Sequence, residues 1–462
     1  MQFGKGEAVR AEKIRMRLNR MDEELIIYRD FEEGELFEDM VTLVDGICSV
    51  HASEGTGSGT ATELTYRLLH RFIELAGKYG FYGNIWACYL TNLLVNHENA
   101  YSCACEVRGE IEGTINSFVL HDMAIFRTLY RISPEYYAKK VGVPELALLE
   151  NYEIGKRPGK IYNTRIRDAI CKLSEKLFEA AQIDEEDLSI RKMKDELTDF
   201  YEEVGVGKFG LHKSFRIRHT ENGAVIEPIT NIAHVYFSDL IGYESAKKKL
   251  RDNTDAFVAG RNANNCLLFG DAGTGKSSSV KALANEYFDK GLRIIEIYRH
   301  QFCDLQSVIA QIKNRNYKFI LYMDDLSFED FETEYKYLKA VIEGGLEKKP
   351  ANVLIYATSN RRHLIRENST DREEIRTDMH TGDTVQEKLS LSYRFGVTIY
   401  FGRPDKKQFR EIVLGLAQKN HINMPEEELL LEANKWELSH GGISGRTAQQ
   451  FIDYLAGGVY GD

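Results

Sequence analysis

The residue types that could do chemistry begin with the stretch GDAGTGKS, in which glycines stand beside one lysine and one serine. Gly270, Gly275, Lys276 and Ser277 complete the spacing G-x-x-x-x-G-K-[ST] between an apolar run and a helical pattern. Such glycines let backbone N–H groups converge on phosphate oxygens, and the following helix adds its positive end. Lys276 then suits the β- and γ-phosphates of a nucleotide and Ser277 suits Mg²⁺, unless the segment is a chance glycine-rich turn. The predicted ATP contacts in this loop are Gly270, Asp271, Ala272, Gly273, Thr274, Gly275, Lys276, Ser277 and Ser278.

Two adjacent aspartates, Asp324 and Asp325, follow the apolar run KFILYM downstream of this loop. A carboxylate at a strand tip can hold Mg²⁺ through water, and the next acid can align the water that attacks a phosphate. The second acid is most often glutamate, and aspartate is shorter by one C–C bond, about 1.5 Å. We therefore predict Asp324 as a metal ligand and Asp325 as a catalytic carboxylate, with Glu329 as a less favoured substitute. The alternative is that both aspartates only cap the next helix.

Composition and charge are those of a globular protein with two or three domains. Of 462 residues, 43% are hydrophobic and 28% are charged, and the net charge is −11. This balance argues against a surface that coats nucleic acid broadly, but it leaves a local basic patch open. Seven scattered cysteines without metal-site spacing predict a reduced, cytoplasmic chain. No run has the length of a signal-peptide core or a membrane span, so no membrane association is expected.

The hydrophobic pattern changes along the chain and predicts the fold class. Residues 1–214 carry amphipathic helical patterns, and residues 215–230 read as a connector with a hairpin signal at Asn222-Gly223. In residues 231–402, the runs NCLLFG, LRIIEIY, YKFILYMDD, NVLIYATSN and GVTIYFG alternate with amphipathic segments, which predicts a parallel sheet covered by helices. Residues 403–462 predict a helical lid. The expected class is α/β, a P-loop nucleotide-binding sheet with a helical N-terminal domain.

Residues 235–457 resemble an AAA+ ATPase. The segment YFSDLIGYESAKKKL is similar to the family's stretch beside the adenine, which implies contacts at Ile241 and Gly242. The segment IYATSNRRHL is similar to the sensor 1 strand, which implies a polar side chain near the γ-phosphate. Asn360 is the first choice for that side chain and Thr358 the second. The combination of GDAGTGKSSS, DDLSFE, ATSNRRHL and SLSYRFG resembles, more closely, the bacterial ATP-binding family known as domain of unknown function 815.

Two arginines take roles from this resemblance. EKLSLSYRFG is similar to the box that carries the arginine finger, which implies that Arg394 reaches the nucleotide of a neighbouring subunit. GGISGRTAQQF is similar to sensor 2, which implies a phosphate contact for Arg446. A cation at a helix N-terminus is locally unfavourable, so an anion is expected beside Arg446. The alternatives are an ordinary surface arginine at Arg394 and a salt bridge within its helix at Arg446.

Three segments bear on the partner. Protein-threading relatives carry an aromatic pore loop where this chain reads YRHQFCDLQ, and Phe302 is better explained as a core residue, so threading is in doubt. The charged segment 361–388 reads as a solvated loop and helix, with a partner surface as the alternative. The basic segment 155–167 reads as a solvated loop, with nucleic acid binding as the weaker alternative.

These observations predict a slow ATPase that uses ATP and Mg²⁺ and acts as an oligomeric switch or remodeller of an unknown protein partner. The alternative is a non-hydrolysing module that ATP binding alone switches. A finger that acts on a neighbour requires head-to-tail assembly of identical subunits. A GTPase is disfavoured because no N-K-x-D motif is present.

Overall fold

The computed structural model describes residues 21–32, 34–49, 58–153, 164–221, 223–230, 232–328, 334–343, 350–360 and 393–458. Contacts divide the chain into two units, Met1–Leu211 and His212–Asp462. We call them the helical unit and the sheet unit and describe each by itself.

The helical unit is built from amphipathic helices with local caps. Asn99 and Ser102 form a reciprocal capping box at one helix start, and Ser133 caps another helix whose first residue is Pro134. Buried Asp122 accepts backbone N–H bonds from residues 26–28, which balances its charge. The α-helices in the described part of this unit are α1 Met21–Glu24, α2 Glu35–Ser49, α3 Ser58–Tyr79, α4 Ile85–Asn96, α5 Ala100–Arg108, α6 Ile115–Tyr130, α7 Pro134–Val141, α8 Thr164–Ala181, α9 Glu186–Glu203 and α10 Gly207–Leu211.

One sheet organises the described part of the sheet unit. Its strands are β1 Ser214–Thr220, β2 Gly223–Pro228, β3 Cys266–Gly270, β4 Leu292–Glu296, β5 Lys318–Met323, β6 Val353–Ser359 and β7 Val397–Phe401. Their order is β2-β1-β4-β5-β6-β3-β7, and every neighbouring pair is parallel except the β1–β2 hairpin. The five apolar runs that predicted strands are all present, as β3 to β7.

The sheet is buried on both faces, as a parallel sheet requires. On β5, Ile320 and Tyr322 join the core that the helices α11 (Glu244–Val258) and α12 (Lys276–Glu286) also build. The alternate residues Phe319 and Leu321 are equally buried and point to the opposite face. The helices α13 (Leu305–Ile312) and α14 (Glu334–Glu343) complete this part of the unit.

The hairpin at residues 215–230 is also an edge of the sheet, because β1 pairs in parallel with β4. Asn222 of the hairpin signal lies outside the described residues, whereas Gly223 begins β2 at a φ of 109°. A segment predicted as a connector thus adds two strands to the five expected ones.

Three C-terminal helices form the lid, with a core of their own: α15 Lys406–Lys419, α16 Glu426–Ser439 and α17 Gly445–Ala456. Asp405 and Ser444 cap α15 and α17 by accepting backbone N–H bonds from the first turn. The predicted fold class, a helix-covered P-loop sheet with a helical lid and a helical N-terminal part, is confirmed. Among the described helices, none has both the length and the apolar character needed to cross a membrane.

Gly270 ends β3 where the backbone of β7 passes too closely for any side chain. Its φ is 136°, and an added Cβ would lie 2.0 Å from the Phe401 carbonyl oxygen. We expect Gly270→Ala to lower the free energy of unfolding by about 3 kcal/mol, because backbone atoms cannot yield as a flexible side chain can. Urea denaturation of the nucleotide-free protein measures the loss.

Gly291→Ala is the matched control for this change. Gly291 also has a positive φ, 82°, but an added Cβ would meet nothing within 4 Å. Its expected cost is about 1 kcal/mol, from the backbone conformation alone. Equal losses in the two variants would contradict the close approach of β7 to Gly270.

Candidate functional site

The loop between β3 and α12 has the backbone of an anion-binding turn. Gly273 and Gly275 have φ values of 74° and 90°, in the left-handed region that glycine adopts without strain. Gly275 is the N-cap of α12, so the first N–H groups of this helix face the loop. The glycines of the motif are therefore needed for the shape of the turn.

Lys276 turns its ammonium group back over this loop. Its Nζ donates to the carbonyl oxygens of Gly270 at 2.8 Å and Asp271 at 2.6 Å, and to Asn360 Oδ1 at 3.1 Å. Burial lowers the pKa of Lys276, while the nearby carboxylates of Asp271, Asp325 and Asp324 oppose that effect. The result is a desolvated cation enclosed by oxygen atoms, suited to an anion.

Asp324 lies directly after β5 and accepts two hydroxyl hydrogen bonds on one oxygen. Ser277 Oγ donates to its Oδ1 at 2.7 Å, and Thr358 Oγ1 donates to the same atom at 2.6 Å. Burial raises the pKa of Asp324, but these hydrogen bonds outweigh it and the pKa lies below the usual value. Asp324 is therefore held as a carboxylate beside the Ser277 hydroxyl.

Asp325 is bound through both its backbone and its side chain. Its N–H donates to Thr358 Oγ1 at 2.9 Å, and its Oδ1 accepts from Asn360 Nδ2 at 2.8 Å. Its φ of 50° is unusual for a residue other than glycine. The described partners of the two aspartates lie on β6, just after it and on α12.

These residues form one end of a cavity of about 590 Å³, a size typical of small-molecule sites. At the other end the walls are apolar and come from both the core and the lid. Ile241 packs against the lid core, where a Cβ on Gly415 would lie 2.5 Å from its Cδ1. Of the predicted site residues, those that line the cavity are Ile241, Gly242, Ala272, Gly273, Thr274, Gly275, Lys276, Ser277, Ser278, Asp324, Asp325, Asn360 and Arg446, together with Thr358.

The lid touches the phosphate loop directly. The Arg446 N–H donates to the Gly273 carbonyl oxygen at 3.2 Å, which brings the start of α17 to the loop. The Asp271 carboxylate accepts the N–H of Arg403 at 2.9 Å, and Arg403 Nε donates to the Ile443 carbonyl oxygen at 3.1 Å. A chain of hydrogen bonds thus joins the loop, the entry to the lid and the approach to α17.

Three predicted site residues do not line the cavity. Gly270 supports the loop from the end of β3, and the carboxylate of Asp271 is turned towards Arg403. Arg394 lies half-buried in the turn before β7. Their predicted roles in binding and catalysis stay predictions. Glu329, residues 361–388 and most of the basic segment 155–167 lie outside the described residues.

Several lining residues were missed by the sequence analysis. The cavity is also lined by Asp239, Leu240, Tyr243, Lys247, Ser279, Phe401, Ile412, Leu416, Gly445, Gln449 and Gln450. Helical spacing could have found some of them. Gln449 and Gln450 follow Arg446 by three and four residues, and Ile412 and Leu416 are four apart, so each set shares a helix face. Phe302, in contrast, is buried beside Phe328, as expected of a core residue.

The oxygen atoms at the loop end fit Mg²⁺. A hydroxyl and a carboxylate are hard donors, and Ser277 and Asp324 already lie within 2.7 Å of each other. Within the described ranges, no group of three or more His, Cys, Asp or Glu side chains could hold a metal by itself. A site with two protein donors suits Mg²⁺, which usually keeps waters and substrate phosphates as its other ligands.

Comparison with known proteins gives one family. The family model described as Protein of unknown function (DUF815) matches residues 211–459. The comparison with curated proteins gives no match. A solved mutant of RuvB from Thermotoga maritima is 16% identical with a TM-score of 0.34, over 47% of this chain and 64% of that chain. A second RuvB mutant is 14% identical with a TM-score of 0.31, over 48% of this chain and 72% of that chain. The chain thus spans less than two thirds of the first RuvB chain, and likeness at these scores carries no functional argument.

Proposed function

The chain belongs to the family described as Protein of unknown function (DUF815), whose model covers more than half of it, and we propose that it is an AAA+ ATPase that hydrolyses ATP slowly. It acts, in this proposal, as an oligomeric switch or remodeller of a protein partner. The observation that carries the proposal is the connected set of Lys276, Ser277, Asp324, Asp325 and Asn360 at one end of the cavity. The membership confirms the family resemblance found in the sequence.

Each residue of this set has a role that its contacts support. Lys276 neutralises phosphate oxygens, while Ser277 and Asp324 hold Mg²⁺, which when bound draws charge from those oxygens. Asp325 accepts a hydrogen bond from the attacking water and aligns it. Asn360, bonded to both Lys276 and Asp325, contacts the γ-phosphate from the adjacent strand end.

The other end of the cavity supports a flat, largely apolar ring as the occupant. Leu240, Ile241 and the lid residues Ile412 and Leu416 supply apolar walls, and a planar base stacks well on such side chains. Gly242, at a φ of 81°, leaves backbone accessible at this point. We therefore place adenine here and the phosphates at Lys276.

A second candidate is a module that binds ATP without hydrolysing it. The observation that favours this alternative is Asp325, which is shorter than glutamate and has one carboxylate oxygen bonded to Asn360. If that carboxylate cannot reach the water, binding alone switches the assembly. Phosphate release by the purified wild-type protein separates the two functions.

We assign partner binding to residues 1–214, with a connector at 215–230, the nucleotide core at 231–402 and the lid at 403–462. In the helical unit, the large apolar side chains of Phe118, Leu148 and Leu188 are exposed. A nucleic acid partner is the weaker alternative, given the net charge of −11.

Lys276→Ala should abolish ATP binding, because the phosphates lose their principal side-chain cation. Titration with a fluorescent ATP analogue measures the affinity. Lys290→Ala is the control, since it removes the same charge at an exposed residue that is hydrogen-bonded to Asp255. Its affinity should match the wild type. Retained affinity in Lys276→Ala would contradict the phosphate site.

Asp325→Asn should bind Mg²⁺ and ATP normally and stop turnover. Amide and carboxylate have similar sizes, so packing is kept while the charge and one of the two acceptor oxygens are lost. Steady-state phosphate release measures the effect. Turnover that persists in Asp325→Asn would move the catalytic role elsewhere, with Glu329 next. A wild-type rate equal to the Lys276→Ala background would favour the non-hydrolysing alternative.

Arg394→Ala should keep ATP affinity and lose hydrolysis, because a finger acts on charge that develops in the transition state of a neighbour's site. Its position outside the lining of its own cavity supports this assignment. Mixing Arg394→Ala with Lys276→Ala should restore part of the activity, since some sites then combine an intact loop with an intact finger.

The control mixture combines Lys276→Ala with Asp325→Asn. Both changes fall on the same side of the nucleotide, so every site retains a defect and no activity should return. Absence of recovery in the Arg394→Ala mixture, with co-assembly shown by light scattering, would rule out a finger in trans.

A further inference from the structure

Thr358 lies near the end of β6 and is almost fully buried, with 1% of its surface exposed. The chain from Asp324 to Leu326 passes beside it. Its hydroxyl contacts both aspartates, and its carbonyl oxygen accepts the Leu326 N–H at 2.7 Å. Ser359, the next residue, donates from its hydroxyl to the Leu326 carbonyl oxygen at 2.8 Å. These hydrogen bonds hold the turn from Asp324 to Leu326 against the end of β6.

The Thr358 hydroxyl uses both of its chemical capacities here. A hydroxyl has one donor hydrogen and two acceptor lone pairs. The hydrogen goes to Asp324 Oδ1 at 2.6 Å, and a lone pair takes the backbone N–H of Asp325 at 2.9 Å. One atom therefore orients the side chain of the first acid and the backbone of the second.

The hydrogen bond from the Asp325 N–H matters because the backbone of Asp325 is in the left-handed region, with a φ of 50°. This backbone conformation is unfavourable for a residue with a Cβ, so the surroundings must hold it. The N–H bond to Thr358 and the Asn360 contact to the carboxylate are the two hydrogen bonds at Asp325 that face β6 and its end. Without the Thr358 hydroxyl, the N–H of Asp325 would lose its partner.

We propose that Thr358 is a positioning residue that sets both carboxylates at once, aiming Asp324 at the metal and fixing the direction of Asp325. The inference rests on the proposed function, and it gives Thr358 a role that does not require contact with the nucleotide. Removal of a residue that orients a metal ligand in this way typically changes metal affinity or activity by about 10- to 100-fold.

The test compares Thr358→Val with Thr358→Ser in the full-length protein. Valine keeps the shape and loses the hydroxyl, whereas serine keeps the hydroxyl. Thr254→Val is the matched control, because Thr254 is also fully buried and its hydroxyl donates to Leu250 at 2.9 Å and contacts Tyr356 at 3.0 Å. Thr254 does not line the cavity.

Mg²⁺-dependent turnover reports on the hydrogen bond from Thr358 to Asp324, and amide exchange reports on the hydrogen bond from the Asp325 N–H to Thr358. Thr358→Val should lower kcat and raise the half-maximal Mg²⁺ concentration, each by about tenfold, with little change in ATP affinity measured without Mg²⁺. Hydrogen exchange of the Asp325 amide, measured without nucleotide, should become about tenfold faster. Thr358→Ser should restore kcat, the half-maximal Mg²⁺ concentration and the amide exchange rate towards the wild type. Thr254→Val should change none of the three.

The outcomes separate this inference from the proposed function. A wild-type protein without turnover would remove the ATPase proposal, while amide exchange would still decide whether Thr358 holds Asp325. Thr358 as a mere core residue predicts that Thr358→Val behaves like Thr254→Val, and this result would overturn the inference. It would also be overturned if the main effect were weaker binding of ATP without Mg²⁺, which indicates direct phosphate contact. Failure of serine to restore the values, or unchanged turnover despite faster exchange, would equally count against it.

Discussion

One carboxylate oxygen, Oδ1 of Asp324, joins the elements on which the site depends. It accepts hydrogen bonds from Ser277 on α12 and from Thr358 on β6, while Asp324 itself directly follows β5. These hydrogen bonds outweigh the cost of partial desolvation, so the pKa of Asp324 stays below its usual value. The strand order explains how the three meet, because β6 lies between β5 and β3, and β3 leads into the phosphate loop. The end of β6 therefore contacts both the end of β5 and the loop after β3. Thr358 is hydrogen-bonded to the two aspartates, and Asn360 is hydrogen-bonded to Lys276 and Asp325.

A second set of contacts ties the phosphate loop to the lid. Gly273 accepts the N–H of Arg446, and Asp271 accepts the N–H of Arg403 at the entry to the lid. The lid also supplies part of the apolar wall of the cavity. A ligand that contacts the loop therefore contacts a structure whose hydrogen bonds continue into α17. The loop and the lid are therefore joined both by hydrogen bonds and by the cavity that they line together.

Sequence patterns predicted the strands and the loop residues whose structural requirements are local. The apolar runs of β3 to β7 and the glycines, Lys276 and Ser277 of the loop were identifiable because their requirements lie within a few residues. Long-range pairing was not identifiable in this way: nothing in the pattern near Ser214 predicts its partner Ile294, so the hairpin was expected only as a connector. The turn of Asp271 towards Arg403 likewise depends on residues more than a hundred positions apart.

The roles proposed for Arg394 and for the N-terminal helices could not be derived from this chain alone, because each proposal involves a second molecule. Thr358 illustrates a different limit. The sequence marks it as polar at the end of an apolar strand, which allowed a choice between it and Asn360 for one site. The structure shows that both residues contact Asp325, while Thr358 also contacts Asp324 and Asn360 also contacts Lys276.

The donors of Lys276 bear on whether the protein holds ATP or hydrolyses it. An ammonium group has three N–H donors, and the carbonyl oxygens of Gly270 and Asp271 and the side chain of Asn360 take all three. A phosphate that binds Lys276 must replace one of them, and the contact to Asn360 is the longest, at 3.1 Å. Its loss would free an amide whose other end bonds to Asp325. The direction of the Asp325 carboxylate is thus linked through the Asn360 side chain to whatever anion binds Lys276. The backbone of Asp325 is in the left-handed region. The position of its carboxylate therefore depends on this backbone turn as well as on the side chain, which is one carbon atom shorter than that of glutamate.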